Sequence, residues 1–272
     1  VFDKGVAERP HVRLAFDAKT VTFNVDLDDG ICRFGPLATR VRIRDARGGI
    51  FCPVSAVVKG WESVETEVAT PLGNFPGVEA RLAGAPGLPF NMTWRVALAE
   101  GGRVLACLSV ENKSDAALNV FEMAPLAYRG ADPGLDMGAG YTGWRFYRTG
   151  YQSWTPAGSI GVMDEDRKPR FFLPSRTGTN PLTPYTRKPG EKVSDWMGQV
   201  VDPRLGLGAL LGFIGGASMS GRVEFEVKYD RFRRLEGICD GEGMTLAPGR
   251  TVESEWLLLS LSDDALAQQE DY

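Results

Sequence analysis

Few residues of this chain combine a reactive side chain with a useful spacing. Asp164, Glu165 and Asp166 stand together in "VMDEDRKPR", beside Arg167, Lys168 and Arg170. Crowded carboxylates raise one another's pKa, so that one can give a proton while another takes it. The ordinary reading of the same letters is a solvated turn of mixed charge. Lys228 and Asp230, one residue apart in "EVKYDRF", offer a carboxylate nucleophile beside a cation. Lys228, however, falls in register with the polar side of an alternating strand. "GLGALLGFIGG" has neither GxGxxG ahead of a helix nor GK[ST], so its glycines read as bulges or close backbone approach rather than a phosphate cradle. His11 is the single histidine. A histidine triad, a two-histidine metal site and a histidine acid–base pair therefore lack material, and His11 reads as a surface or edge-strand residue. These residues ask for no metal and no cofactor.

The stretch that folding explains least is "RFYRTGYQSWTPAGSIG", Arg145 to Gly161. If Tyr151 to Thr155 is extended, side chains alternate between faces. Gln152 and Trp154 then share one face, and Tyr151, Ser153 and Thr155 the other. An indole packs on the apolar C–H side of a pyranose and an amide hydrogen-bonds its hydroxyls, so that face suits a sugar. A tryptophan in a β protein is as readily a core residue, and the pattern alone leaves both readings open.

The elements that must position these residues are strands. Glycine and proline, 33 and 17 residues, punctuate short alternating runs. Val21, Phe23, Val25 and Leu27 share a face before an Asp-Gly turn. Met92, Trp94, Val96 and Leu98 alternate before Gly101-Gly102. Val223, Phe225, Val227 and Tyr229 alternate against Arg222, Glu224, Glu226 and Lys228. Such period-two runs predict about 15 to 20 strands in one large all-β antiparallel sandwich. The sandwich is expected over residues 1–261. From 262 to 272 the pattern turns helical, with Ser262 as N-cap and little apolar face, like the start of a linker. At 272 residues, 43% hydrophobic, 24% charged and net charge −4, the chain is an ordinary globular one without a basic stripe for nucleic acid or an apolar run long enough for a membrane helix. Cys32, Cys52, Cys107 and Cys239 are far apart without CxxC spacing. They read as buried free thiols in a reducing compartment, which points to the cytoplasm.

"GYQSWTPAG" resembles the [NG]-[YW]-Q-S-W motif in the N-terminal β-sandwich domain of family 36 glycoside hydrolases, the melibiase-type α-galactosidases. "TPLGNFPGVEARLAG" (70–84) and "VSDWMGQVVDPRLGLGALLGFIG" (193–215) are similar to segments flanking that motif, in the same order. The resemblance implies a large β-supersandwich of the galactose-mutarotase type, leading through a linker helix to a (β/α)8 barrel on the same polypeptide. In that family two barrel aspartates carry out the retaining reaction. The second tryptophan of the motif helps wall the galactose pocket. The resemblance thus gives Trp154 a substrate-binding role, with Gln152 and Tyr151 as its supports, and an α-galactoside as the sugar of the full enzyme. The family nucleophile lies in a K-x-D barrel strand. Lys228–Asp230 matches it in letters only, and none of the roughly 250 residues of a barrel are present, so no catalytic residue is expected in this chain and the domain alone is expected to be inactive.

Three other functions fit parts of the sequence. A stand-alone carbohydrate-binding module would use the Gln152/Trp154 face. A sugar mutarotase shares the architecture but resembles its kin in needing histidines. An oligomerisation module, giving a homo-oligomer, is the third.

Overall fold

The computed structural model describes residues 6–9, 11–128, 130, 134–138, 140–150, 157–165, 188–216, 218–229, 231–270 and 272. Twenty strands lie among them. The first seven are β1 Val6–Arg9, β2 Val12–Asp17, β3 Thr22–Leu27, β4 Cys32–Arg44, β5 Ile50–Phe51, β6 Trp61–Thr70 and β7 Gly73–Leu82. Then follow β8 Phe90–Leu98, β9 Val104–Asn112, β10 Leu118–Tyr128, β11 Gly134–Asp136, β12 Arg145–Arg148, β13 Gly158–Gly161 and β14 Glu191–Asp195. The last are β15 Met197–Asp202, β16 Leu207–Ile214, β17 Ser220–Lys228, β18 Arg231–Leu246, β19 Thr251–Glu253 and β20 Trp256–Ser262, with a one-turn helix α1, Ala267–Glu270.

The strands form two ten-stranded antiparallel sheets. The first runs β1-β2-β3-β4-β10-β18-β17-β14, with β5 and β11 also on β4. The second runs β13-β12-β15-β16-β20-β9-β8-β7-β6, with β19 on β9. The predicted alternation holds, because Val21, Phe23, Val25 and Leu27 are buried from one sheet and Met92, Trp94, Val96 and Leu98 from the other. The Phe23 and Trp94 rings meet across the core at 5.5 Å, and the Trp94 indole N–H donates to the Pro125 carbonyl at 2.8 Å. Each such side chain contributes about 1.5–3 kcal/mol by leaving water. Close packing explains several glycines. At Gly102, φ is 71° and a Cβ would run into Val12, so the Gly101-Gly102 turn holds β1–β2 against β8–β9.

Register in the first sheet is written in charge. Glu8, Arg13, Asp26, Arg33 and Asp136 lie opposite one another on five neighbouring strands, with signs alternating. Three of the four steps are ion pairs of 3.5 to 3.7 Å. A one-residue slip would turn each strand's charge to the other face.

Three expectations need correction. Tyr229 does not continue the buried face of β17; it is 81% exposed, because the chain turns there at φ 53°. The C-terminal segment does pack. Gln199, fully buried on β15, donates from Nε2 to the Ala265 carbonyl and to Gln268 Oε1, both at 2.7 Å, and Gln268 Nε2 donates to the Ser260 carbonyl. Tyr272 lies over Gly212 and donates its hydroxyl to the Phe213 carbonyl at 2.7 Å. The cap is Asp264, whose Oδ1 accepts the Leu266 and Ala267 amides; Ser262 is still in β20 and accepts the Asp264 amide. Finally, Cys52 is exposed, whereas Cys32, Cys107 and Cys239 are buried, and all four are free thiols.

Candidate functional site

Tyr151, Gln152 and Trp154 lie outside the described residues, but the frame that carries them is described. They fall between β12 and β13, which pair as a hairpin from Arg145↔Gly161 to Arg148↔Gly158. The other edge of β12 pairs with β15. Phe146 points into the core, 5.9 Å from Phe225, and Tyr147 points outward onto the apolar outer cluster that holds Met197, Leu210 and Trp256. Alternation thus locks the hairpin on both faces.

Thr149 fixes the base of the loop. Its amide donates to Ser194 Oγ at 2.8 Å. Its hydroxyl reaches the Met197 carbonyl at 3.1 Å and also the Asp195 carbonyl, and its own carbonyl accepts the Asp195 amide. These partners form the corner where the chain leaves β14 in the first sheet and enters β15 in the second. A single residue, Trp196, makes the passage. Its φ is 63°, a left-handed conformation that costs a bulky residue roughly 1–2 kcal/mol. The corner is held from both sides: the Trp196 amide donates to the Gly221 carbonyl and its carbonyl accepts the Phe213 amide, each at 3.0 Å. The half-buried indole lies against Gly216, where a Cβ would come within 2.7 Å of the ring. The Gly216 and Ser218 amides are in turn gathered by the Glu255 carboxylate, at 3.0 and 2.8 Å.

Asp195 sits opposite Arg222 in the β14–β17 register. From Arg222 an ion-pair network crosses the outer side of the first sheet. Arg222 contacts Glu224 at 2.8 Å, Glu122 at 3.3 Å and also Asp240. Arg40 contacts Glu122 at 2.6 Å and Glu236 at 2.8 Å. Arg234 joins Glu224 at 2.7 Å. These groups are shielded from water; the Glu236 side chain is fully buried and those of Arg40 and Arg222 are 9% exposed. Burial pushes the Glu122 carboxyl up, but Arg40, then Arg222 and Arg42, pull it below the usual carboxylate range. Burial likewise works against the charge on Arg40, and Glu236 and Glu122 more than restore it. With each carboxylate facing at least one guanidinium, the network is a charged scaffold beside the corner rather than an acid–base pair.

Of the remaining candidates, Asp164 and the glycine-rich run serve structure. Asp164 closes a turn, accepting the Gly161 amide on Oδ2 and the buried Lys192 ammonium on its carbonyl at 2.8 Å. Glu165 is described, whereas Asp166, Arg167, Lys168 and Arg170 lie outside the described residues, as does Asp230. Lys228 is exposed at the end of β17, 5.2 Å from the Tyr229 ring. The glycine-rich run is the buried strand β16. His11 is on the β1–β2 turn, at the opposite end of the first sheet's path from β14, so it brings no acid or base to the corner. Among the described residues no group of three His, Cys, Asp or Glu is placed to hold a metal, and no helix is long and apolar enough to cross a membrane. Thr149, Ser194 and Trp196 escaped sequence reasoning as site residues. The Ser-Asp-Trp triplet was their one signal, but nothing in those letters foretells a left-handed tryptophan between two sheets.

No protein-family model matches the chain, and no curated protein matches it. Solved structures do. The galactosidase domain of the alpha-galactosidase–sucrose kinase AgaSK superposes with a TM-score of 0.55 at 11% identity, over 84% of this chain and 30% of that one. The α-N-acetylgalactosaminidase NagBb of Bifidobacterium bifidum, in its GalNAc complex, gives 0.56 at 11% identity, over 95% and 36%. The family 36 α-galactosidase AgaB of Geobacillus stearothermophilus gives 0.50 at 10% identity, over 83% and 30%. This chain therefore has the β-sandwich fold of glycoside hydrolases of the family 36 type, and it spans about a third of the length of the enzymes that share it.

Proposed function

We propose that the chain is the non-catalytic N-terminal domain of an α-galactosidase-like retaining glycoside hydrolase. It packs on a (β/α)8 catalytic barrel of the same polypeptide and lends that barrel part of its sugar pocket. The observation that carries this reading is the anchored β12–β13 hairpin. The segment bearing Tyr151, Gln152 and Trp154 leaves from Thr149, which is tied at four points to a rigid corner between the two sheets. A loop mounted this way leaves the sandwich from a fixed point, as a segment presented to a neighbouring domain requires. Trp154 stacks on the sugar ring, Gln152 hydrogen-bonds its hydroxyls and Tyr151 supports them. The small share of the related enzymes' length that is matched supports a partner domain carrying the chemistry.

The test compares this 272-residue chain with a longer chain that adds the proposed catalytic barrel, on nitrophenyl α-galactoside and α-N-acetylgalactosaminide. The short chain should be inactive, and Trp154→Ala in the long one should raise KM by roughly 10-fold or more, the scale of one lost stacking contact. Turnover by the short chain would refute the reading. Millimolar or tighter galactose binding by the short chain, abolished in Trp154→Ala, would favour a stand-alone binding module instead.

A further inference from the structure

The turn between β1 and β2 holds His11 at φ 67°, and the 3-10 turn Asp28–Gly30 after β3 begins with Asp28 at φ 41°. Both are left-handed positions, free to glycine and of modest cost to histidine and aspartate, which adopt them more often than most side chains. The two strained residues face each other. Nδ1 of His11 is 2.5 Å from Oδ1 of Asp28, and the Asp28 amide donates to the His11 carbonyl at 2.9 Å. The pair stands at the rim of a cavity of about 590 Å3, walled by the charge ladder of Glu8, Arg13, Asp26 and Arg33. Backbone of this kind persists where neighbouring contacts over-determine it, and here a side-chain contact joining the two turns contains the only imidazole of the chain.

We propose that His11 and Asp28 form a pH-sensitive clasp, which fastens the β1–β2 turn to the β3–β4 turn at the end of the β2–β3 ladder while the imidazole is protonated and loosens the two turns when the proton leaves. A charge-assisted hydrogen bond is roughly twice as strong as a neutral one, so losing the charge weakens the contact that offsets the strain. The groups around the imidazole set its sign. Asp28 faces it from the 3-10 turn, Glu8 stands on β1, Arg13 on β2, Asp26 on β3 and Arg33 on β4. The adjoining turn against Val12 carries Glu100 and Arg103. Asp263 acts on His11 from the segment after β20. The hydrogen bond and charge of Asp28 raise the His11 pKa above its ordinary value, slight desolvation lowers it, and Asp263 adds to the rise. A raised folded value means that the clasp is fully closed below the ordinary histidine pKa of about 6.5 and opens as pH rises through the folded one.

A single imidazole makes the test direct. Its carbon-bound protons give one NMR titration, alongside exchange of the Asp28 and Ile31 amides, corrected for intrinsic rate. The midpoint should lie above about 6.5. Protection at these two amides should fall roughly two- to fivefold across it, the scale of an exposed ion pair, while amides of β9 stay constant. His11→Asn, which tolerates the left-handed backbone without titrating, should remove the step, and Asp28→Asn should return the midpoint to the ordinary value. A wild-type midpoint at or below the ordinary value, flat protection across it, or the same step in His11→Asn would overturn the proposal.

Discussion

Replacing Arg40 by methionine tests whether the outer network of the first sheet holds the fold or merely decorates it. Met keeps most of the packing volume of the side chain and deletes both charge-assisted bonds, to Glu236 at 2.8 Å and to Glu122 at 2.6 Å. Glu122, 17% exposed, keeps Arg222 and Arg42 nearby. Glu236 is fully buried, loses its 2.8 Å guanidinium partner and keeps the longer Arg234 contact at 3.6 Å. Removing one partner of a buried pair costs about 3–5 kcal/mol. Because Glu122 is compensated, about 3 kcal/mol is expected, and at roughly 2–4 °C per kcal/mol for a domain of this size the Tm should fall by about 6–12 °C. Urea denaturation gives the free energy directly, at unchanged m. Adding Glu236→Gln to Arg40→Met should recover about 1 kcal/mol by neutralising a buried carboxylate that has lost its shortest ion pair. pH gives a second reading. The Glu122 pKa is depressed in the folded state, so its stabilisation is present above the unfolded glutamate value of about 4.3 and is lost as pH falls through the folded one. That acid-side loss should shrink in Arg40→Met. A variant within about 1 kcal/mol of wild type would refute the reasoning and class the network with solvated surface pairs.

Two further outcomes follow. In the native state Ellman's reagent should titrate Cys52 quickly and the other three thiols only on unfolding, since burial pushes Cys32 and Cys107 up to about 12 and Cys239 higher still; more than one fast thiol would contradict the packing. Gly212→Val should displace the Tyr272 ring that lies on Gly212, so that amides of α1 lose hydrogen-exchange protection while those of β8 and β9 keep theirs; unchanged protection in α1 would show that Tyr272 does not hold the segment down.

The sandwich was legible because its signal is local. Period-two runs such as Val21–Leu27 and Met92–Leu98 bury one face wherever they are placed, and glycines mark their ends. Tyr229 misled because alternation carries no information about where a strand stops. The Arg222–Glu224–Glu226 face of β17 read as solvated, since a charge on the outer side of a sheet looks the same in sequence whether water or a guanidinium meets it. The C-terminal docking was hidden for the same reason: Gln199 and Gln268 meet from 69 residues apart, a distance at which no pattern speaks. Of the proposed site, the resemblance supplied Trp154, Gln152 and Tyr151, and the structure supplied the β12–β13 hairpin and the Thr149 anchor on either side of that segment. Thr149 and Trp196 act through backbone carbonyls and a rare φ, which letters do not encode.

The one-residue passage at Trp196 has a consequence for length. Most joints in a β protein carry slack, and insertions or deletions are absorbed there at little cost. Here β14 and β15 belong to different sheets and share no spare residue. Adding or removing one at this point would invert every side chain of β14 or of β15, turning Ser194 and Lys192 to the half-buried side where Val193 now stands, or Val200 to the side where Gln199 meets the C-terminal segment. It would also move the carbonyls of Asp195 and Met197 away from Thr149. The count of residues between the two sheets is therefore fixed as tightly as any side chain in the core, and the corner works as a ruler from which the β12–β13 loop takes its position.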